Sequence, residues 1–238
     1  YSPILLVSGE PNSIFLEIYF KILKLNKVKS PLILISSEKL LKLQMKKLKF
    51  KKKIKLLNYK KLELEKLNNN SINLININFD QKRAFEKISS KSNYFIKECF
   101  KVAFEIIKKE KINKFINGPI SKKKFLGTKY LGMTEYISKK FLSQKSCMLI
   151  YNKKLSVCPA TTHLPIKQVA KKINKKLIKE KIILINKFYK TNLGFVPNIG
   201  VLGLNPHCES ILKYNEDEKI IKPVIKKMKN KGYKISGP

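Results

Sequence analysis

The sequence predicts an α/β fold of two domains, with largely parallel sheets flanked by helices. Three observations carry that reading. Short apolar runs such as Ile4-Leu5-Leu6-Val7 recur along the chain, and lysine-rich stretches of helical period separate them. Turn-forming residues gather where the apolar runs end. The chain is also long enough, at 238 residues and 43% hydrophobic content, to bury a substantial core.

The elements follow in order. Ile4 to Val7 reads as a strand, and Ser8-Gly9-Glu10-Pro11-Asn12-Ser13 as a turn leading to a helix from Ile14 to Leu23. Pro31 to Ser36 is a second strand, and Ser37 is placed to cap an amphipathic helix reaching Leu48. Ile54 to Leu57 and Ile72 to Ile77 are further strands, joined through a charged stretch and an Asn-rich turn. Lys82 to Lys109 is the longest helical segment, with Phe95, Cys99, Val102, Ala103 and Ile106 on one face. Lys114 to Ile116 is a strand running into Asn117-Gly118-Pro119-Ile120-Ser121-Lys122, where Ser121 is a candidate cap and Lys122 either a surface lysine or a charge at a cleft.

The second half repeats the alternation. Cys147 to Tyr151, Leu155 to Ala160 and Ile199 to Leu204 read as strands; Pro165 to Ile173, Ile178 to Thr191 and Glu218 to Lys229 read as helices. Glycines between Gly127 and Gly132 interrupt both patterns, so the expected domains are 1–128 and 129–238. The chain starts at Tyr1 and stops after a strand-like run at Ser236-Gly237-Pro238, as expected of a shortened chain.

Lysine and arginine number 52 against 16 acidic residues, for a net charge of +36. Arg83 is the lone arginine, so the fork that reads phosphates and bases is nearly missing. The lysines are scattered over every segment rather than gathered into one footprint. This argues against nucleic acid as the principal partner and for a solvated surface that attracts small anions. No apolar run approaches the ~20 residues of a bilayer span. The N-terminus lacks a basic segment followed by a long apolar stretch, so a cytoplasmic protein with reduced thiols is expected.

The chemistry centres on the only 2 histidines. They lie in Thr161-Thr162-His163-Leu164-Pro165 and Gly203-Leu204-Asn205-Pro206-His207, each following a strand-like run, where α/β proteins bind ligands. Imidazole is the commonest nitrogen ligand for a divalent metal, so His163 and His207 are candidate metal ligands. Two imidazoles do not complete a catalytic site, which usually takes three protein ligands. A carboxylate, a cysteine or a residue beyond Pro238 would be the third. Cys158 and Cys208 lie near the histidines, which leaves a mixed Cys/His zinc site open beside the default of inert thiols. Asn205 reads either as a support for His207 or as a turn residue before Pro206. Glu216 and Asp217 fall at a helix start, where carboxylates are favoured.

Four segments then stand in one order: Asn117-Gly118-Pro119-Ile120-Ser121-Lys122, Gly132-Met133-Thr134-Glu135, Thr161 to Pro165 and Gly203 to His207. Glu216-Asp217, Ile221, Pro223 and Gly237-Pro238 continue the pattern. The sequence resembles the 4-hydroxythreonine-4-phosphate dehydrogenase family of pyridoxal phosphate biosynthesis over nearly its whole length. The resemblance implies an isocitrate/isopropylmalate dehydrogenase-like fold that acts as a homodimer. It also implies NAD-dependent oxidation of a phosphorylated small-molecule substrate, 4-phosphooxy-L-threonine, followed by decarboxylation. A divalent metal (Zn, Mg or Co) held by three histidines goes with that activity. His163 and His207 match two of them, and the third is expected beyond Pro238. Met133 and Thr134 match the substrate-binding pair, which in the family is His-Thr. Methionine has no donor to offer an anion, so a related hydroxy acid stays open as the substrate, as does a non-catalytic binding role. The first loop differs too: Gly9, Pro11, Ile14 and Glu17 match the family pattern, but two of its glycines are replaced. After His207, Cys208-Glu209 stands for Ala-Gly-Glu.

Overall fold

The computed structural model describes residues 1–110, 112–127, 129–130, 132–140, 145–208 and 214–238. They form two compact units, Tyr1–Lys129 and Tyr130–Pro238.

The first unit is built on five parallel strands in the order β3-β4-β2-β1-β5. They are β1 (Ile4–Val7), β2 (Leu32–Ser36), β3 (Ile54–Leu56), β4 (Ile72–Asn76) and β5 (Phe115–Asn117). Leu5, Leu6, Val7, Leu32 to Ile35, Ile72, Leu74 and Ile75 are all buried. Near-continuous apolar runs are what a parallel sheet covered on both faces requires. Side chains alternate across such a sheet. Leu6, Leu34, Ile72 and Leu74 pack with Leu16, Tyr19, Phe20 and Leu23 of α1 (Phe15–Leu25) and Leu40 and Leu41 of α2 (Glu38–Lys47). The alternate residues Leu5, Val7, Ile33 and Ile35 belong to the face where α3 (Ser92–Glu110) packs against β1 and β2.

Local chemistry explains the boundaries. Ser37 caps α2 as expected, its Oγ accepting from the Leu40 N–H at 3.3 Å. Ser121 does not cap with its side chain; its carbonyl oxygen closes the turn by accepting from Lys124 and Phe125. Lys122, which follows it, is exposed. The Asn-rich turn is held by Asn69, whose amide accepts from Leu32 N–H at 2.9 Å and donates to Val28 and Ser30 carbonyls. The helix read from Lys82 starts ten residues later, at Ser92. Side chains hold the intervening backbone instead: Asn12 Oδ1 accepts from Glu86 N–H at 2.8 Å, and Gln44 Nε2 donates to the Ala84 carbonyl at 2.9 Å.

The loops after β1 and β5 meet closely. The Glu10 N–H donates to the Pro119 carbonyl at 2.8 Å, and the Gly118 N–H to the Val7 carbonyl at 2.7 Å. A Cβ at Gly118 would lie 2.2 Å from the Ser8 carbonyl oxygen, and one at Gly9 (φ +69°) 2.5 Å from that of Pro119. Backbone on backbone leaves nothing soft to yield. The Glu10 carboxylate, nearly buried, accepts from Ser92 Oγ at 2.8 Å and ties this loop to the start of α3.

The second unit contains α4 (Met133–Lys140), α5 (Ile166–Lys172), α6 (Lys175–Phe188), α7 (Lys222–Lys229) and a parallel pair, β6 (Ile199–Gly200) and β7 (Ile235–Ser236). Its core joins Ile178 and Ile182 of α6, Val224, Ile225 and Met228 of α7, Ile173, Ile221 and Ile235. The strands read at Cys147 to Tyr151 and Leu155 to Ala160 are not formed. One antiparallel bridge joins Ile150 to Val157, and both residues are exposed. A hairpin with no apolar face to bury gains nothing by lengthening its ladder. No helix among the described residues is long and apolar enough to cross a membrane.

Gly118→Ala should lower stability by at least about 2 kcal/mol, because Cβ and carbonyl cannot both keep their places. Gly200→Ala, with nothing within 4 Å of the new Cβ, should stay within about 0.5 kcal/mol. Urea midpoints of the two variants check the contrast.

Candidate functional site

Both histidines occupy backbone that L-residues rarely adopt. His163 and His207 each have φ +55°. Histidine is among the residues enriched in the left-handed region, yet single residues held there still cost about 1–2 kcal/mol. Both imidazoles are exposed. Backbone strain beneath an exposed imidazole marks a position set by something other than stability.

The His163 side of the site is built on the start of α4. A Cβ at Gly132 would lie 3.1 Å from His163 Nε2 and 2.9 Å from Glu135 Oε2. Glycine therefore leaves the room in which the imidazole and the carboxylate sit. Thr162 Oγ1 donates to Glu135 Oε1 at 2.8 Å, which pins the residue before His163 to the helix. Glu135 Oε2 is buried and has no hydrogen-bond partner. A buried carboxyl oxygen left unsatisfied costs free energy until a partner meets it. Thr134, Glu135 and Thr162 line a cavity of about 290 Å³, together with Ser138, Cys147 and Lys181. Met133 opens α4, half-buried, one residue before Thr134.

The His207 side is built on a buried carboxylate. Asp217 has no exposed surface. Its Oδ1 accepts the Leu204 N–H at 2.8 Å, and its Oδ2 accepts the Asn205 N–H at 2.9 Å and Asn205 Nδ2 at 2.8 Å. Burial alone would raise the Asp217 pKa. The donors from Leu204 and Asn205, with Lys222 nearby, outweigh it and hold the carboxyl below its ordinary value. Asn205 Nδ2 also donates to Glu216 Oε2 at 3.2 Å. Asn205 thus supports His207 through the loop, by anchoring it to the residues that begin the next helical turn. Gly203 is confined too: a Cβ there would lie 2.5 Å from Cys208 Sγ and 3.0 Å from Asp217 Oδ1.

The two histidine loops are thus each fixed by a carboxylate from a neighbouring helix start. Among the described residues, no three His, Cys, Asp or Glu side chains gather as a metal-binding group. The donors that are present suit a divalent cation: two exposed imidazoles and, beside one of them, an unpartnered carboxylate oxygen. Cys158 lies against Cys147. Glu209 lies outside the described residues. Sequence reading placed Gly132 and Glu135 in a family-like segment and Asp217 at a helix start, and gave none of them a positioning role. The signal available was the Gly-x-x-Glu spacing at a helix start and an Asp following a polar run.

The model for the pyridoxal phosphate biosynthetic protein PdxA matches residues 27–238. The chain belongs to the PdxA family. It is 33% identical over 235 residues to the 4-hydroxythreonine-4-phosphate dehydrogenase of Aquifex aeolicus, covering 97% of this chain and 71% of that one. It is 36% identical over 153 residues to the enzyme of that name from Hydrogenobaculum, covering 63% of this chain and 49% of the relative. Among solved structures, a 4-hydroxythreonine-4-phosphate dehydrogenase from Klebsiella pneumoniae superposes with a TM-score of 0.83 at 22% identity, over all of this chain and 75% of that one. A terephthalate 1,2-cis-dihydrodiol dehydrogenase from Burkholderia xenovorans gives 0.64 at 17% identity, over all of this chain and 73% of that one. At those identities the superpositions establish the shared fold alone.

Two predictions test this construction. Asp217→Asn should cost about 2–3 kcal/mol, because the amide can accept on one side only. A depressed native pKa makes Asp217's contribution full above the ordinary carboxyl value and lost as pH falls from about 4 through the native value. Acid unfolding monitored by circular dichroism should therefore be shallower in the variant. At His207, relief of the backbone predicts that His207→Gly is more stable than His207→Ala by about 1 kcal/mol. Thermal melts of the two rank them.

Proposed function

We propose that the protein is a cytoplasmic, homodimeric NAD-dependent and divalent-metal-dependent dehydrogenase. It oxidises the hydroxyl of 4-phosphooxy-L-threonine to a ketone, and decarboxylation follows. The observation that carries the reading is the pair of exposed imidazoles, His163 and His207, each held on left-handed backbone by its own carboxylate-anchored loop. Family membership and the names of the relatives support the reaction class.

His163 and His207 would hold the metal. Bound there, the ion would supply polarisation of the substrate's reacting oxygen, and a nicotinamide would supply the hydride acceptor. The remaining work belongs to this chain. Thr134 donates its hydroxyl to the anionic end of the substrate at the mouth of the α4 cavity. Glu135 keeps Thr162, and with it His163, in register. The lysine excess raises the local concentration of a phosphorylated substrate.

Met133 supports a second reading within the same fold: oxidative decarboxylation of a hydroxy acid lacking the group that a family histidine would bind. Methionine offers an apolar, adaptable surface and no donor.

NADH formation from 4-phosphooxy-L-threonine, followed with and without added Zn, Mg or Co, tests the proposal. His163→Ala and His207→Ala should each lower the metal-stimulated rate by more than about 100-fold and weaken Co binding seen in its visible spectrum. Met133→His should raise kcat/KM if the family substrate is the natural one. A fall, with the fold intact, favours the second reading.

A further inference from the structure

The hairpin that replaces the expected strands has a chemical consequence. Ile150 and Val157 exchange both backbone hydrogen bonds, at 2.8 and 3.0 Å. Asn152 and Ser156 close the turn between them: the Asn152 N–H donates to Ser156 Oγ at 3.1 Å and Ser156 Oγ donates to the Asn152 carbonyl at 2.9 Å. This brings Cys147, before the bridge, back toward Cys158, just after it, close enough for the two thiols to interact. Neither is fully buried, and Cys147 lines the α4 cavity. Lys181 borders the same cavity, its Nζ donating to the carbonyl of Ser146, the residue before Cys147.

We propose that Cys147 and Cys158 are a reversible thiol–disulfide pair, oxidised by hydroperoxides, with Cys147 the attacking thiol and Cys158 the resolving one. The surroundings suit that division. The Cys158 thiol donates toward the Cys147 sulfur and, against partial burial and helped by Lys181, brings the Cys147 pKa down to about 6. The same contact pushes Cys158 upward. A thiolate that is accessible and flanked by an ammonium is the reactive form of cysteine.

The chemistry balances. The Cys147 thiolate attacks one peroxide oxygen; the S–O bond forms, the O–O bond breaks, and the departing hydroxide takes a proton and leaves as water. Cys158 sulfur then attacks the sulfenic sulfur; the S–S bond forms, the S–O bond breaks, and a second water leaves with the Cys158 proton. Two thiols are oxidised and one hydrogen peroxide is reduced. The product changes the cavity wall beside Thr134 and Glu135 from a free thiol to a disulfide. The inference stands on the hairpin and holds whether or not the chain is a dehydrogenase.

Treating the full chain with hydrogen peroxide tests it, read by thiol titration, intact mass and peptide mapping. Two of the 4 cysteines should be lost together, with a mass decrease of two hydrogen atoms, a cross-linked peptide joining Cys147 to Cys158, and full recovery on adding dithiothreitol. In Cys158→Ser, Cys147 should stop at the sulfenic acid and be trapped by dimedone. Fully buried Cys99 should stay reduced throughout. Four outcomes would overturn the proposal: no thiol loss, oxidation of Cys147 to the sulfinic acid in the unmutated chain, a cross-link through Cys208, or one between chains.

Discussion

Asp217 has no exposed surface, yet it stays ionised because three N–H donors from two adjacent residues converge on its two oxygens. A carboxylate buried without such partners would take up a proton instead. These bonds fix the backbone of Leu204 and Asn205 just before the turn at Pro206 and the left-handed His207. Glu135 performs the matching task at the other loop, with one oxygen on Thr162 and the other unpartnered. Carboxyl groups thus anchor two loops from within the unit so that two imidazoles can be presented at its surface.

Strained backbone and buried charge are both stability costs, and the second unit carries both within a small core of α6, α7 and their neighbours. The first unit also has left-handed Asn26 and Lys49 and the buried Glu10 carboxylate, but sets them beside a much larger core. Its sheet is buried on both faces, and its tight loop contact at Gly9 and Gly118 is solved by two glycines rather than by strain on larger residues. The surface lysines add little to either unit. Their ion pairs with acids, such as Lys21 with Glu17 at 2.7 Å, are solvent-exposed and worth a few tenths of a kcal/mol.

Much of the first unit was legible because a parallel sheet writes itself as uninterrupted apolar runs. Ile4 to Val7, Leu32 to Ser36 and Ile72 to Asn76 needed no periodicity to be seen. The capping role of Ser37 was also visible. The segment from Lys82 misled because its composition suits a helix while Asn12 and Gln44, distant in sequence, hold its backbone in another shape. The α4 helix escaped notice because it is short and Tyr136 is its single fully buried residue. In the site, the histidines and the Gly132 to Glu135 segment were readable as residue types. What positions them was not, since a glycine's empty volume and an aspartate's convergent donors exist only once the chain has folded.

The strand order also sets a timetable for synthesis. Strand β1 lies between β2 and β5, and its second neighbour is Phe115–Asn117, more than a hundred residues later in the chain. Until that segment leaves the ribosome, one edge of Ile4–Val7 has unpaired peptide groups and fully apolar side chains. Such an edge recruits other strands, and long-range parallel pairing is slow to form. The nascent first unit is therefore most exposed to aggregation during the interval between β4 and β5, when most of its sheet exists and β1 is still an open edge.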